Sequence, residues 1–345
     1  MKALALTETG GIEHLRVQEL PEPTIREPGE VLVRIQTMAL NRLDLFVVGG
    51  LPGASHGFPH VVGSDGAGIV QQVGPGVTHL RPGDRVMINP TIACGRCPSC
   101  EAGEHSLCSR LRVLGEHCSG TAAEYVVLPG ENLAAVPPSM PWAEAAAFSL
   151  ATLTAWRMLV SRAQVQPGET VLIWGIGGGV ALAALQVALL VGARAIVTSG
   201  ADAKLEVARK LGAENLLNYR QSDVASEVRK LTGGRGADVV IDSVGEQSWQ
   251  ASLRSLRRGG RLVVCGATSG PHVSLDLRRL FWHQWDLLGS TLGSQREYAE
   301  VVRLAGEGKL WPVIDSVVPL REAVTAYERL QRGEHVGKLV IEVAQ

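Results

Sequence analysis

Between Val171 and Ala193 the chain reads VLIWGIGGGVALAALQVALLVGA, a run without a charged residue. Its length and apolarity would suffice to cross a bilayer as one helix. The triple glycine Gly177-Gly178-Gly179 argues against that. Glycine is costly in a helix interior, so the run divides into a five-residue strand and a separate helix of about three turns. A second apolar strand, ARAIVTS, follows directly. Strand, glycine-rich turn, helix and strand make the βαβ unit of a parallel sheet. The turn GIGGGVA, Gly175 to Ala181, aims backbone N–H groups at the helix N-terminus, where they cradle a pyrophosphate. A dinucleotide is the expected ligand, and Ala181 is an accepted substitute for the third glycine of such turns.

The surrounding texture extends this reading. Beyond about Pro138 helical segments alternate with apolar strands: EAAAFSLATLTAWRMLV, VLIWG, VALAALQVALLVG, ARAIVTS, ADAKLEVARKLG, then DVVIDSV and GRLVVCGA. Strands buried on both faces read as continuous apolar runs, so the order predicts an α/β, doubly wound parallel sheet. The first 130 or so residues differ. EVLVRIQTMAL, GAGIVQQVG and DRVMINP are short runs punctuated by Gly and Pro, as in a mostly antiparallel β region. The tail from Leu288 returns to mixed elements, with helices expected near Arg296–Glu307 and Leu320–Arg332 and a strand in KLVIEV. Residue patterning alone leaves open whether the tail is a separate unit or folds back.

With 345 residues, 46% of them hydrophobic, there is material for about two domains. A net charge of −1, dispersed along the chain, gives no footprint for nucleic acid or an anionic membrane surface, so a small-molecule substrate is expected. The N-terminus MKALALTETGGIEHLRV lacks the apolar core of a signal peptide, and a cytoplasmic location is expected.

The end of the second strand selects the cofactor. A carboxylate there would bind the ribose 2′-hydroxyl of NAD, whereas this strand ends in Thr198-Ser199-Gly200, with Lys204 one turn into the next helix and Tyr219 after the third strand. Lys204 can pair with a 2′-phosphate and Tyr219 can add a hydroxyl. NADPH is the expected cofactor, with NADH the alternative. Asp202, the nearest acid, is placed to cap the following helix.

Four of the six cysteines lie within ACGRCPSCEAGEHSLC, spaced C-x2-C-x2-C-x7-C over Cys94, Cys97, Cys100 and Cys108. Four thiolates at such spacing suit one tetrahedral zinc better than disulfides in a reducing compartment. Four protein ligands leave no position for water or substrate, so the metal is expected to be structural; an iron–sulfur cluster is the competing occupant. Cys118 and Cys265 are expected to be unligated thiols.

Together the glycine turn, the four-cysteine lobe between β segments, GSDGAGIV and the terminal GKLVIEV resemble the medium-chain dehydrogenase/reductase superfamily over essentially the whole chain. The resemblance implies a GroES-like, mostly β catalytic domain from residues 1–149 and 290–345, with the zinc lobe at about 90–112, and a Rossmann domain at 150–289. It implies that Gly178, Gly179 and Val180 meet the pyrophosphate. Ser199, Gly200, Lys204 and Tyr219 would meet the adenosine ribose phosphate. Val244, Gly266 and Leu292 would face the nicotinamide, with Thr154 at its carboxamide. It also implies a homodimer through the Rossmann domain, or a homotetramer.

Zinc alcohol dehydrogenases of that superfamily carry a second, catalytic zinc. The segment that normally opens with its cysteine here reads Asn41-Arg42-Leu43-Asp44, the segment with its histidine reads Gly63-Ser64-Asp65, and its third ligand falls at Leu150. None of the three is a zinc ligand. The N-x-x-D segment is similar to the quinone oxidoreductases and enone reductases, most of which lack the cysteine lobe. Hydride transfer without metal suits a conjugated acceptor, which delocalises the incoming charge. Asn41 is the candidate for orienting a ligand oxygen, Asp44 for ordering the following loop and Asp65 for supporting the site. His56, His60 and His117 are candidate proton donors. Asp44, His56, His60 and Asp65 are the residues from which a rebuilt metal site would have to come. Trp282 and Trp285 are read as a substrate wall, core or interface. Three functions are carried forward: an NADPH-dependent quinone or enone reductase, an alcohol dehydrogenase or carbonyl reductase, and an NADPH-binding protein with a structural or regulatory role.

Overall fold

In a computed structural model, which describes residues 1–51 and 57–344, the apolar runs of the middle region become six strands that all pair in parallel. In chain order these are Thr170–Ile173, Arg194–Ser199, Asn215–Asn218, Ala237–Asp242, Leu256–Val264 and Asp286–Gly289. Their spatial order is third, second, first, fourth, fifth, sixth, the doubly wound order in which the sense of winding reverses between the first and fourth strands. The span that imitates a membrane helix is divided at the glycines into Thr170–Ile173 and the helix Gly179–Leu190. No helix among the described residues is long and apolar enough to cross a membrane.

The chain separates into two units, Met1–Ala151 with Gly293–Gln345, and Thr152–Leu292. Both divisions fall two or three residues later than the boundaries read from sequence. The first lies inside the helix Trp142–Trp156, where no loop marks it; that helix runs on as a π-helical segment, Arg157–Arg162.

The first unit is a GroES-like β fold, and its centre is the ten-residue strand Glu30–Ala39. On one side this strand pairs antiparallel with Asp65–Val73 and on the other with Lys338–Glu342, and Tyr125–Pro129 also pairs with it. The tail therefore folds back into this unit, and its helix Ala323–Arg332 buries Tyr327 in the same core as Leu4, Ile35, Met38 and Leu339. Register decides what meets at the carboxyl end of the central strand. Ala39 faces Asp65 on one flank and Val340 on the other, so Lys338, at the start of its strand, comes level with Asn41.

Gly337 lets that strand begin where it does. Its φ is +96°, and a Cβ there would collide with the Val313 carbonyl.

Candidate functional site

In the second unit the glycine turn has the backbone that its sequence requires. Gly175 and Gly177 have φ of +73° and +114°, and Gly178 is the N-cap of the helix Gly179–Leu190. A Cβ on Gly177 would come within 2.5 Å of Lys204 Cδ, and one on Gly200 within 2.7 Å of the Tyr219 hydroxyl. Lys204 thus lies along the turn and Tyr219 covers the end of the second strand. The absence of side chains at both glycines keeps open a cradle that a Cβ would fill, which fits a dinucleotide phosphate. On the other side of the switch point a Cβ on Gly175 would touch Val244, at 3.5 Å. Ser199 is buried and its hydroxyl accepts a hydrogen bond from the Ala201 N–H at 3.3 Å.

Asp202 departs from its reading as the helix cap. Ala201 is the N-cap, and the Asp202 carboxylate instead accepts from Asn218 Nδ2 at 2.7 Å, which engages the nearest acid in holding the third strand.

The turn after the fourth strand is held by Asp242, a fully buried carboxylate that accepts from the N–H of Val244 and Gly245 and from the hydroxyls of Ser248 and Ser252. Gly266 sits against it, a Cβ there meeting the Ser243 carbonyl at 3.2 Å. Leu292 takes a φ of +45°, unusual for a branched side chain, and Thr154 is buried. Trp285 is core, donating to the Arg257 carbonyl at 2.9 Å, while Trp282 stays 65% exposed on the helix Leu277–His283. Burial pushes the Cys265 thiol up to about 12, as suits an unligated thiol.

In the first unit the sulfurs of Cys94, Cys97, Cys100 and Cys108 all lie within 4.8 Å of one another, with Cys97–Cys100 at 3.5 Å and Cys94–Cys100 at 3.9 Å. Zinc–sulfur bonds of about 2.3 Å at tetrahedral angles place sulfurs about 3.8 Å apart, so the four donors fit one zinc with no room for a fifth ligand. Backbone N–H groups support the thiolates. That of Arg96 holds Cys94 down to about 6, and that of Cys100 holds Cys97 below its usual value.

At the carboxyl end of Glu30–Ala39 lies a different cluster. Asp65 is wholly buried, and each of its oxygens is engaged: Oδ1 accepts from the Leu150 N–H at 2.8 Å, Oδ2 from Lys338 Nζ at 2.9 Å and Asn41 Nδ2 at 3.0 Å. Lys338 Nζ also donates to Asn41 Oδ1 at 2.5 Å. Both ends of the Asn41 amide are therefore spent inside the protein, with Nδ2 also reaching the Ala39 carbonyl, and this replaces its reading as a donor to a ligand oxygen. The Asn41 N–H donates to Asp44 Oδ2 at 2.7 Å, one half of a capping box for the helix Arg42–Gly49. Burial raises the Asp44 carboxyl to about 7, against the Asn41 N–H and Lys338, which lower it, and with a smaller upward push from Asp65.

These residues do not fit a catalytic zinc. Asn41 faces an ammonium, Leu150 has no donor side chain, the buried Ser64 hydroxyl has no partner among the described residues, and Asp65 already accepts three hydrogen bonds within the chain. The cysteine lobe is the one group of three or more His, Cys, Asp or Glu with converging donor atoms among the described residues. His60 is buried against the Gly115 carbonyl at 2.9 Å, and His117 Nδ1 accepts from the Val113 N–H at 3.1 Å; His56 lies outside the described residues. The sequence reading brought Asn41, Asp44 and Asp65 to one place and missed Lys338. The signal was the lysine that opens the apolar strand KLVIE, since a lysine there is buried with its strand and needs a counter-charge.

Residues 27–138 match the family model of an alcohol dehydrogenase GroES-like domain, and residues 179–307 that of a zinc-binding dehydrogenase. The chain belongs to the medium-chain dehydrogenase/reductase superfamily. This oxidoreductase is 32% identical to an alcohol dehydrogenase of Geobacillus stearothermophilus over 95% of the chain and 96% of that protein. It is 30% identical to a crotonyl-CoA reductase of Streptomyces avermitilis over 94% of the chain and 81% of that protein. Among solved structures, that of an NAD-dependent alcohol dehydrogenase superposes with a TM-score of 0.96 at 44% identity, covering 100% of both chains.

A carboxyl raised in the folded state binds its proton there more tightly than in the unfolded chain. The stability this gives is complete below about pH 4, the unfolded value, and is lost as pH rises to about 7. Asp44→Asn keeps the acceptor for the Asn41 N–H and removes the titration. Relative to wild type the variant is expected to gain stability steadily between about pH 4 and 7, by up to about 4 kcal/mol, and to change no further above. Denaturant unfolding at a series of pH values measures this, and a constant difference across the window would contradict the assignment.

Proposed function

We propose that this oxidoreductase reduces conjugated carbonyl acceptors, enones, enoyl thioesters or quinones, with NADPH and without a catalytic metal. The observation that carries this is the Asn41–Asp65–Lys338 cluster, which spends within the chain the groups a Lewis-acidic metal would need. A simple ketone needs such help as alkoxide charge develops, whereas a conjugated acceptor spreads that charge over its own π system. The similarity to a crotonyl-CoA reductase is in keeping with this class. Bound reduced nicotinamide supplies the hydride. The chain's residues do the rest: the N–H groups of Gly178, Gly179 and Val180 bind pyrophosphate, Lys204 and Tyr219 hold the adenosine ribose phosphate, and Asp242 fixes the turn that carries Val244. In the acceptor a C–H bond forms at the β-carbon, the C=C electrons move through the carbonyl to its oxygen, and the α-carbon then takes a proton from water.

Alcohol oxidation is the second reading, favoured by the 44% identity to an NAD-dependent alcohol dehydrogenase. Following the nicotinamide absorbance with panels of enones, quinones and simple alcohols separates the two. Turnover with at least one conjugated acceptor, at a kcat/KM about tenfold or more above any simple alcohol, is expected. The reverse order would establish the second reading, and tight NADPH binding without turnover would indicate a binding protein. Lys204→Ala is expected to cost about tenfold in kcat/KM with NADPH and little with NADH, the scale of one charge-assisted hydrogen bond.

The cysteine lobe is read as holding a single structural zinc. Elemental analysis should find about one zinc per chain that resists mild chelation, and Cys100→Ser should abolish it together with the lobe's order. Two zincs per chain would contradict the metal-free reading.

A homodimer is read from the edge of the parallel sheet. The outer side of Asp286–Gly289 ends the sheet, and on the helix Leu277–His283 that precedes it Leu277, Phe281 and Trp282 are 65%, 66% and 65% exposed. Apolar side chains grouped at a strand edge mark an interaction surface. Light scattering coupled to gel filtration should give a dimer or larger for wild type and a monomer for Phe281→Asp/Trp282→Asp; a monomeric wild type would refute it.

A further inference from the structure

We propose that the second unit carries a binding site for a small organic carboxylate, away from the cofactor cradle, and that its occupancy tightens the hold on the nicotinamide cofactor. The site is a cavity of about 380 Å³, lined from the helices Glu246–Ser255 and Leu277–His283 and the segment before the latter, and every lining residue belongs to Thr152–Leu292. That volume falls at the lower end of the range for small-molecule clefts. Leu253, Leu275 and Trp285 belong to the apolar core of this unit or pack against it, and they give the cavity an apolar floor. Gln250, Ser274 and Arg278 are exposed at its rim and leave it open to solvent.

Arg279 supplies the charge. Its guanidinium lies 5.4 Å from the centre of the Trp285 ring, and among the described residues it makes no ion pair and no side-chain hydrogen bond. The one carboxylate of the lining, Asp276, is already taken. Arg278 holds it in a fork, Nε to Oδ1 at 3.1 Å and Nη2 to Oδ2 at 2.9 Å, and the Arg278 N–H adds a bond to Oδ1 at 2.9 Å. Asp286 lies on the other face of the sheet, since its neighbour Leu287 packs in the same core as Trp285 and side chains alternate along a strand. His283 stacks on Trp285 at 4.7 Å, and burial first, then the charges of Arg258, Arg279 and Arg229, hold its imidazole below its usual value. Arg258 and Arg229 give their N–H groups to main-chain carbonyls, of Trp282 and of Gly234 and Arg254, which leaves their charge uncompensated. One free planar fork beside an apolar floor, in a positive field, suits one carboxylate on an apolar body. A dianion such as phosphate would need more donors than a single guanidinium offers and would bring its second charge toward Asp276.

The helix Glu246–Ser255 joins this cavity to the turn after the fourth strand. Gln250 and Leu253 line the cavity, while Ser248 and Ser252 of the same helix each donate to Asp242 Oδ2 at 2.7 Å, and Asp242 Oδ1 accepts from the N–H groups of Val244 and Gly245. A second connection runs through the segment that closes the cavity. Ser269 donates both its N–H and its hydroxyl to the Val244 carbonyl at 2.8 Å, and farther along the Ser274 carbonyl accepts from Trp249 Nε1 at 2.8 Å and Gln250 Nε2 at 3.1 Å. A ligand lodged between helix and segment restrains both attachments of Val244. Order already imposed by one ligand need not be imposed again by the next, so the cofactor binds more tightly. The binding stands whatever the acceptor; the coupling rests on the reading of the Val244 turn as a cofactor contact.

The test uses the full-length, zinc-loaded protein with hexanoate and benzoate as probes, hexanol and benzyl alcohol as their uncharged counterparts, and inorganic phosphate. Titration calorimetry should give saturable binding of the carboxylates, with the alcohols and phosphate at least about tenfold weaker, and Arg279→Gln should weaken the carboxylates about tenfold, the scale of one charge-assisted fork. Arg279→Lys keeps the charge without the fork; it carries the test if the Gln variant does not fold, with an expected loss of about threefold or more. Arg279 lies about 160° round its helix from Leu277 and Phe281, so both variants should keep the wild-type oligomeric state, and their cofactor affinity without probe should stay within about twofold of wild type. Saturating probe should tighten NADPH binding to wild type about fivefold and leave that of Arg279→Gln unchanged, and amide hydrogen exchange over residues 243–249 should slow with probe alone and with cofactor alone. No saturation by about 10 mM, or binding undiminished in both variants, would overturn the site. Phosphate binding tighter than the carboxylates would overturn the ligand class. Carboxylate binding that leaves NADPH affinity within about twofold, or leaves the exchange unchanged, would overturn the coupling. Exchange slowed by the probe but not by the cofactor would overturn the reading of the Val244 turn and the coupling with it, while the carboxylate site stood.

Discussion

The buried pair of Lys338 and Asp65 is the constraint around which the catalytic unit is arranged. Taking two charges out of water costs several kcal/mol per ion, and mutual attraction offsets this only when the remaining hydrogen-bonding capacity is also met. Here it is nearly met: Asp65 accepts from three donors, and Asn41 lies across both members of the pair. Such a cluster tolerates no slip of register. A one-residue shift of Lys338–Glu342 against Glu30–Ala39 would turn Lys338 to the opposite face of the sheet and leave Asp65 charged and alone. The pair therefore ties the last strand of the chain to one alignment.

The same cluster sets the state of its neighbour. A second carboxylate beside Asp65 would bring net negative charge into a region where one ammonium is already matched. Asp44 is fully buried, and its carboxyl is pushed up toward neutrality by that burial. It can nonetheless serve the helix Arg42–Gly49, because the carbonyl oxygen of a protonated carboxyl still accepts from the Asn41 N–H. Asn41 is thus the joint between two functions, with its backbone opening a helix and its side chain completing an ion pair.

What could be read from sequence follows from how local each feature is. The glycine turn and the cysteine lobe are each complete within a short segment. Gly175 to Ala181 fixes both its own backbone and its ligand class, and the spacing of Cys94, Cys97, Cys100 and Cys108 draws four sulfurs together whatever the rest of the chain does. Asn41, Asp44 and Asp65 were legible as a group through the resemblance, but their roles were not. The side-chain partner that decides them, Lys338, lies 273 residues beyond Asp65, and only the pairing of three strands brings it there. Asp202 shows the same limit on a smaller scale. Its position before a helix suggested a cap, and a tertiary contact with Asn218, sixteen residues on, claimed the carboxylate instead.

Two metal positions of one superfamily have had opposite fates in this chain, and their geometry gives a physical reason. The cysteine lobe draws its four donors from one loop, so a zinc held there would depend on little outside residues 94–108. A catalytic site assembled from Asn41, Ser64 and Leu150 would draw on three separate elements and stand beside Lys338. With thiolates at such positions the ammonium and a divalent cation would repel each other at close range, and the ligands' negative charge would have to hold both. With an amide, a hydroxyl and an isobutyl group there, one cation suffices, and Asp65 and Asn41 hold it without any metal.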